Sequence, residues 1–232
     1  MAHCQCEVIE RRFDIQRVAR QLTEYRKHGA AKATRLLIEA LQTESLEGMT
    51  LLDIGGGIGA IPHALVPVGI SSVLNVEASS AYLAAAREEA ERRGLAEHMR
   101  FAHGNFVALA STIAPADLVT LDRVICCFDD MPALVSLSAA RAKKLYGVVF
   151  PHATWRRRLF NQLHNLILAI AHLPPHYYVY RANDIDAVVR AQGLERQFSC
   201  VVDMWQVVIY VRRSPFTAHS SKKASAAAEE RA

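Results

Sequence analysis

The segment Leu51-Leu52-Asp53-Ile54-Gly55-Gly56-Gly57-Ile58-Gly59 decides the fold. Its first four residues are typical of a short buried strand, and glycines at alternate positions then break the apolar pattern before a helix begins. Glycine adopts positive φ angles and lets the backbone approach a ligand closely. The following helix presents free N–H groups and the positive end of its dipole to the same place. The segment therefore predicts a strand–loop–helix unit that binds an anionic group, such as a carboxylate or a pyrophosphate.

Short apolar runs alternate with helical patterns through most of the chain. Repeated βα units of this kind form a parallel sheet that is covered by helices on both faces. We therefore predict an α/β, Rossmann-like fold with a seven-stranded, mostly parallel sheet. The strands are expected at residues 50–54, 72–77, 99–102, 118–121, 145–150, 196–202 and 206–211. The helices are expected at 60–66, 80–93, 106–112 and 132–143, with a later helix at 183–191 that Asn183 caps.

The ends of the chain differ from its centre. Apolar residues at helical spacing predict an N-terminal helical cap at 1–48, ahead of a ligand-binding domain at 49–213. That domain includes a helical insert at 155–173 after its fifth strand. The segment 214–232 is rich in Ser, Ala and charged residues, and we expect it to be disordered.

Composition narrows the class of protein. With 51% hydrophobic and 22% charged residues, the 232-residue chain can bury a sizeable core. Its net charge is only +4, and nucleic-acid-binding domains concentrate more Lys and Arg on one face, so we expect no nucleic-acid partner. No apolar run reaches the roughly 18 residues of a transmembrane segment, and the N-terminus lacks the apolar stretch of a signal peptide. The five cysteines show no disulfide spacing, which favours free thiols in the cytoplasm.

Two classes of cofactor fit the glycine loop. Gly55, Gly57 and Ala60 satisfy the dinucleotide fingerprint. Glu77, at the end of the second strand, would accept hydrogen bonds from the ribose hydroxyls of either cofactor. Asp53 favours S-adenosylmethionine, because the ammonium of its methionine part requires a nearby carboxylate and a dinucleotide does not. The helices that precede the first strand point the same way. An NAD(P)-dependent oxidoreductase is the alternative.

Polar residues at two further strand ends extend the pattern. His103-Gly104-Asn105-Phe106 follows the third strand, and Asp122 ends the fourth. With these motifs the chain resembles the class I S-adenosylmethionine-dependent methyltransferases over residues 49–150, and more weakly to 211. The resemblance implies that Asn105, where Asp is commoner, contacts the adenine amino group and that Phe106 packs on the ring. The cofactor-binding residues it implies are Asp53, Gly55, Gly56, Gly57, Gly59, Glu77, Ala78, Asn105, Phe106 and Asp122.

Catalytic residues are harder to identify, because methyl transfer from a sulfonium is an in-line displacement that depends mainly on alignment. A general base is needed only for an acceptor that arrives protonated. The candidates are Tyr25, Cys127 and His152, although a buried thiol and a surface turn are the simpler explanations of the last two. A further alternative is that the protein is a non-catalytic member of the family, one that binds the cofactor without transferring its methyl group.

We expect no metal, since His3, Cys4 and Cys6 lack the paired spacing of a zinc site.

The insert at 155–173 bears on the acceptor. It combines an apolar stripe with Arg156, Arg157 and Arg158, so it covers a pocket, contacts a membrane surface or packs on the core. We expect a lid over a small, partly apolar acceptor. The run 122–127 also shows a weak similarity to relatives of the magnesium-protoporphyrin methyltransferases. No pattern indicates an oligomeric state.

Overall fold

A computed structural model describes residues 9–10, 13–154, 163, 165 and 177–212. The expectations for His3, Cys4 and Cys6, for the insert at 155–173 apart from residues 163 and 165, and for the tail at 214–232 concern residues outside these ranges. Among the residues inside them, none belongs to a helix that is long and apolar enough to cross a membrane.

A seven-stranded, mostly parallel sheet forms the centre of the protein, which confirms the predicted fold class. The strands are β1 Thr50–Ile54, β2 Ser72–Glu77, β3 Met99–His103, β4 Ala116–Asp122, β5 Ala142–Pro151, β6 Leu194–Val202 and β7 Trp205–Arg212. Their order is β3-β2-β1-β4-β5-β7-β6, and β7 runs antiparallel to both of its neighbours. Doubly wound dinucleotide-binding sheets continue in sequence order beyond the fifth strand. The inserted, reversed β7 therefore separates this sheet from the dinucleotide-binding type.

Helices cover both faces of this sheet, and several begin at side-chain caps that the sequence supplies. Asp14 accepts a hydrogen bond from the Arg17 N–H at 2.8 Å, and Asp130 accepts one from the Ala133 N–H at 3.0 Å. Such caps satisfy backbone donors that have no partner within the helix. The α-helices are α1 Ile15–His28, α2 Lys32–Leu41, α3 Ala60–Leu65, α4 Ser80–Arg92, α5 Phe106–Leu109, α6 Met131–Ala139 and α7 Ala182–Ala191.

Two of the predicted helix boundaries were wrong. The helix expected at 132–143 ends at Ala139, because Ala142 already pairs with Ala116 as the first residue of β5. Asn183 lies inside the first turn of α7, and Arg181 occupies the N-cap position instead. The burial of Ile185 and Val189 in the core positions this helix, so packing overrides the capping preference of Asn183.

Helix α2 lies directly on the sheet. Leu37 and Leu41 are fully buried, and they approach β5 where Gly147 has no side chain. A Cβ atom added to Gly147 would lie 3.0 Å from Leu37 Cδ1. Helices α6 and α7 cover the opposite face of the sheet, where Ile185 and Val189 pack into the larger core cluster.

Helix α1 is held against α4 by both apolar and ionic contacts. Val18, Leu22 and Tyr25 share a small buried cluster with Tyr82 and Ala85. At the C-terminal end of α1, Arg26 donates 2.8 Å hydrogen bonds to Glu88 and Glu89, and the Glu89 side chain is fully buried. These contacts place α1 over the edge of the sheet where the candidate site lies.

We predict that Leu37→Ala lowers the free energy of unfolding by about 2–5 kcal/mol, because it removes buried methyl groups and leaves a cavity against β5. Urea denaturation followed by circular dichroism measures the change. Val201→Ala, at a side chain of β6 that is 48% exposed, is the matched control and should have little effect. Equal losses in the two variants would contradict the placement of α2 on the sheet.

Candidate functional site

A cavity of about 800 Å³ opens at the carboxyl ends of β1, β2 and β4, where open α/β sheets bind ligands. Helix α1, the start of α2 and the loops that follow these strands form its walls. The structure brings most of the sequence-predicted residues into this one cavity. Those that line it are Tyr25, Asp53, Gly55, Gly56, Gly57, Glu77, Ala78, Asn105, Phe106, Asp122 and Cys127.

The glycine loop turns sharply out of β1. Gly55 and Gly57 have φ angles of 63° and 54°, which only glycine adopts without strain. A Cβ atom on Gly55 would lie 2.5 Å from Val124 Cγ2, so the loop touches the segment that follows β4. The close approach of these two segments encloses one end of the cavity.

Asp53 is buried beneath the loop, with 1% of its surface exposed. Its Oδ1 accepts a 2.6 Å hydrogen bond from the Thr120 hydroxyl on the neighbouring strand β4. Burial raises the pKa of the Asp53 carboxyl to about 7, and the charges of Asp122 and Glu77 add to that rise, whereas the Thr120 hydrogen bond opposes it. A cation at this end of the cavity would stabilise the ionised carboxylate.

Asn75 lies beside Asp53 in the register of β1 and β2, and its side chain is fully buried. Among the described residues, neither its amide atoms nor Asp53 Oδ2 has a hydrogen-bond partner. A Cβ atom on Gly56 would lie 2.6 Å from Asn75 Nδ2 and would overlap Asp53 Oδ2. Gly56 therefore passes over a buried polar pair that leaves no room for a side chain.

Glu77 ends β2 and anchors the loop from its other side. Its Oε2 accepts from the Gly57 N–H at 3.0 Å, and its Oε1 accepts from the Ser79 N–H at 2.9 Å. Burial raises the pKa of this carboxyl. A carboxylate has about four acceptor positions, more than these backbone N–H groups occupy, so it can accept a further hydrogen bond from a hydroxyl group in the cavity.

Asn105 and Phe106 form the wall after β3. Asn105 is the N-cap of α5, and its Oδ1 accepts from the Val107 N–H at 2.9 Å. Phe106 is 4% exposed and belongs to the main core cluster. Ala78 contributes lining directly after β2. This wall is therefore apolar, with one amide group at its edge.

Asp122 and two residues that the sequence analysis did not single out form a polar group at the end of β4. Asp122 Oδ2 accepts a 2.6 Å hydrogen bond from Thr34 on α2. The guanidinium of Arg123 contacts both Asp122 oxygens at 3.2 Å. The position of Arg123 directly after Asp122 was the one sequence signal available for it, and Thr34 had none because α2 is distant in the chain.

Tyr25 lines the cavity from α1, and its hydroxyl lies 3.3 Å from Nδ1 of the buried His63. Burial raises the pKa of Tyr25, and burial together with the nearby Arg93 lowers the pKa of His63 to about 4. Both side chains are therefore neutral near pH 7. Tyr25 offers a hydrogen bond rather than a base, and Cys127 offers a partly exposed thiol.

Two predicted site residues lie away from the cavity lining. Gly59 is not among the lining residues, and a Cβ atom on it would lie 3.0 Å from the His63 ring, so its lack of a side chain allows the packing of α3. His152 is directed towards Gln206 on β7, with Nδ1 3.5 Å from the amide oxygen. In the described part of the chain, no group of three His, Cys, Asp or Glu side chains is placed to hold a metal ion.

Comparison with known proteins identifies the family. A family model described as a methyltransferase domain matches residues 23–197 of the 232-residue chain, so the chain belongs to the methyltransferase-domain family. Membership of this family accounts for the sheet order and the glycine loop. The chain thus carries a methyltransferase domain, and the nicotinamide-dependent alternative is not supported.

Curated relatives match only part of this domain. Ribosomal protein L11 methyltransferase of Photorhabdus laumondii is 31% identical over 71 residues, which cover 31% of this chain and 24% of the relative. The corresponding protein of Deinococcus radiodurans is 33% identical over 76 residues, or 33% of this chain and 28% of the relative. The chain spans about a quarter of the length of the curated relatives it matches.

Solved structures agree with the fold over most of the chain. Magnesium protoporphyrin IX methyltransferase from Synechocystis PCC 6803 with bound SAH has a TM-score of 0.69 and 16% identity, covering 89% of this chain and 99% of that one. An O-methyltransferase family protein from Burkholderia thailandensis has a TM-score of 0.63 and 17% identity, covering 78% of this chain and 57% of that one. At these identities the likeness concerns the fold alone.

We predict that Gly56→Ala weakens the binding of S-adenosylhomocysteine, the demethylated cofactor, by about 1–3 kcal/mol because the added methyl displaces the loop from Asp53 and Asn75. Isothermal titration calorimetry measures the affinity. Gly48→Ala is the control: its φ of 71° strains the backbone, but no atom lies within 4 Å of the added methyl. That variant should lose stability and keep its affinity. Unchanged affinity in Gly56→Ala would place the ligand elsewhere.

Proposed function

We propose that the enzyme transfers the methyl group of S-adenosylmethionine to a small, partly apolar acceptor by in-line displacement. One observation carries the proposal: the lining of the cavity also includes three aromatic residues, Phe128, Tyr177 and Trp205, and this part of the lining is called the aromatic recess below. An aromatic-lined recess beside the end of β4 suits a compact apolar molecule.

The polar end of the cavity fits the cofactor. Glu77 would accept hydrogen bonds from the ribose hydroxyls, Asn105 would contact the adenine amino group, and Phe106 would pack on the adenine ring. Asp53 would balance the charge of the methionine ammonium. Three observations support this assignment: the free lone pairs of Glu77, the apolar wall at Phe106, and the buried Asp53 carboxyl that lacks a counter-charge.

The residues of this chain contribute mainly alignment. Bound S-adenosylmethionine supplies an electrophilic methyl group on a positively charged sulfur. The contact between Gly55 and Val124 fixes the loop against the end of β4, and the hydrogen bond from Thr34 to Asp122 fixes α2 at the same place. Holding reactants in line in this way accounts for several kcal/mol of a barrier, of the order of 7–11 kcal/mol in the best cases. An ionised acceptor would then need no general base.

A protein acceptor is the second candidate, because the curated relatives are named as ribosomal protein methyltransferases. Those relatives are about four times as long as the matched segment, so most of each relative has no counterpart in the match. The aromatic recess favours the small molecule, and the two candidates predict label in different fractions of a cell extract.

We predict that a methyl-labelled cofactor transfers its label to the low-molecular-weight fraction of a cell extract. The extract is separated by ultrafiltration, each fraction is incubated with the enzyme, and the products are identified by mass spectrometry. Glu77→Ala is the control enzyme and should reduce the signal, because lost hydrogen bonds to the ribose cost about 1–3 kcal/mol. Label confined to the protein fraction would overturn the small-molecule proposal and favour the protein acceptor.

We predict that the affinity for S-adenosylhomocysteine rises with pH. The pKa of Asp53 is about 7 in the ligand-free protein, and the ligand ammonium lowers it in the complex. At any pH between these two pKa values, binding therefore releases a proton. The gain is at most about tenfold per pH unit and levels off above the free pKa. Calorimetry between about pH 5.5 and 8, in buffers of different ionisation enthalpy, counts the protons released.

Asp53→Asn should bind more weakly at pH 8 and should lose the pH dependence, because an amide does not titrate. A wild-type affinity that stays constant over this range would show that Asp53 does not interact with the ammonium.

A further inference from the structure

Arg123 has an unusual backbone conformation. Its φ angle is +60°, and the only other non-glycine residue with a positive φ in the described part of the chain is Asp203. Asp203 lies in the tight turn between β6 and β7, where Asp is a usual residue. Arg123 instead directly follows the parallel strand β4, and it is not one of the residue types, Gly, Asn and Asp, that usually adopt this conformation. Such strained positions persist where the surrounding structure over-determines them, and they cluster at binding sites.

The contacts of Arg123 show what holds it there. Its N–H donates to the Val149 carbonyl at 2.9 Å, and its guanidinium contacts both oxygens of Asp122 through Nε and Nη2. Nη2 also lies 3.4 Å from the Thr34 hydroxyl. Among the described residues, Nη1 has no hydrogen-bond partner. Two N–H donors of a positioned guanidinium therefore remain available at the cavity lining.

The surroundings of this guanidinium are aromatic and basic. Its Cζ lies 5.9 Å from the centre of the Trp205 ring, and Phe128 and Tyr177 line the same recess. Lys32 and Arg35, on either side of Thr34 in the chain, also line the cavity. Arg123 is paired with Asp122 and Lys32 lies 3.8 Å from Asp203 Oδ2, so each of these two cations already has one carboxylate partner.

We propose that Arg123 binds a carboxylate of an aromatic acceptor through Nη1, with the ring of the acceptor packed against Trp205. This inference rests on the proposed function, because it assigns the acceptor to the recess beside the methyl group. Arg123 is then a specificity-determining residue. A planar guanidinium recognises a carboxylate through directed hydrogen bonds, and Asp122 holds the plane in place.

The test compares aromatic acids with their primary amides on protein saturated with S-adenosylhomocysteine. The probes are benzoate and benzamide, 2-naphthoate and 2-naphthamide, and indole-3-acetate and indole-3-acetamide, measured by calorimetry. We expect at least one acid to bind about tenfold or more tightly than its amide, the effect of one hydrogen bond to a charged group. Arg123→Gln should abolish this preference, and Arg123→Lys should retain part of it. Arg100→Gln, at an exposed position of β3, should retain all of it.

Each other outcome overturns the proposal. Equal binding of acids and amides, or no acid binding, would show that the recess does not select a carboxylate. An acid preference that persists in Arg123→Gln would assign it to other groups. A loss of S-adenosylhomocysteine affinity in Arg123→Gln, measured without probes, would assign Arg123 to the carboxylate of the cofactor. If the wild type fails to bind S-adenosylhomocysteine, the proposed function fails instead, so the two failures are distinguishable. The acid–amide comparison on wild type and Arg123→Lys remains decisive if Arg123→Gln does not fold.

Discussion

The buried carboxyl of Asp53 is the constraint on which the site depends. The parallel pairing of β1 with β2 and β4 places it between Asn75 and Thr120, and Thr120 supplies its one hydrogen bond among the described residues. A carboxylate is costly to bury without a counter-charge, which is why its pKa rises to about 7. Gly56 must cross this row without a side chain. One strand register therefore determines the path of the loop and the charge beneath it.

The N-terminal helices belong to the same arrangement. Helix α2 packs its apolar side on the sheet and donates a hydrogen bond from Thr34 to Asp122, while α1 supplies Tyr25 to the cavity wall. The ion pairs from Arg26 to Glu88 and Glu89 hold α1 against α4. Movement of these helices would therefore alter the wall of the cavity directly, and such coupling is common where an element closes over a bound substrate.

Local patterns were sufficient for the parts of the fold that depend on local chemistry. The strands of the parallel sheet are continuous apolar runs, and closely spaced glycines directly after such a run are compatible with few structures other than a turn. Both features were therefore predicted close to their observed positions. The errors lie where packing competes with propensity. The end of α6 is set by the pairing of Ala142 with Ala116, and the start of α7 is set by the burial of Ile185 and Val189.

The order of the amino acids was enough to place Asp53, Glu77 and Asn105 near one another, because the carboxyl ends of parallel strands meet at one edge of a sheet. It was not enough to show that Gly59 and His152 lie outside the cavity lining, because their neighbours His63 and Gln206 are a helical turn and an antiparallel strand away. The contacts around Arg123 join segments that are far apart in the chain: Thr34 on α2, Arg123 after β4 and Trp205 on β7. No local pattern encodes contacts between such segments. They form when the last strand inserts between β5 and β6 and brings Trp205 to the cavity.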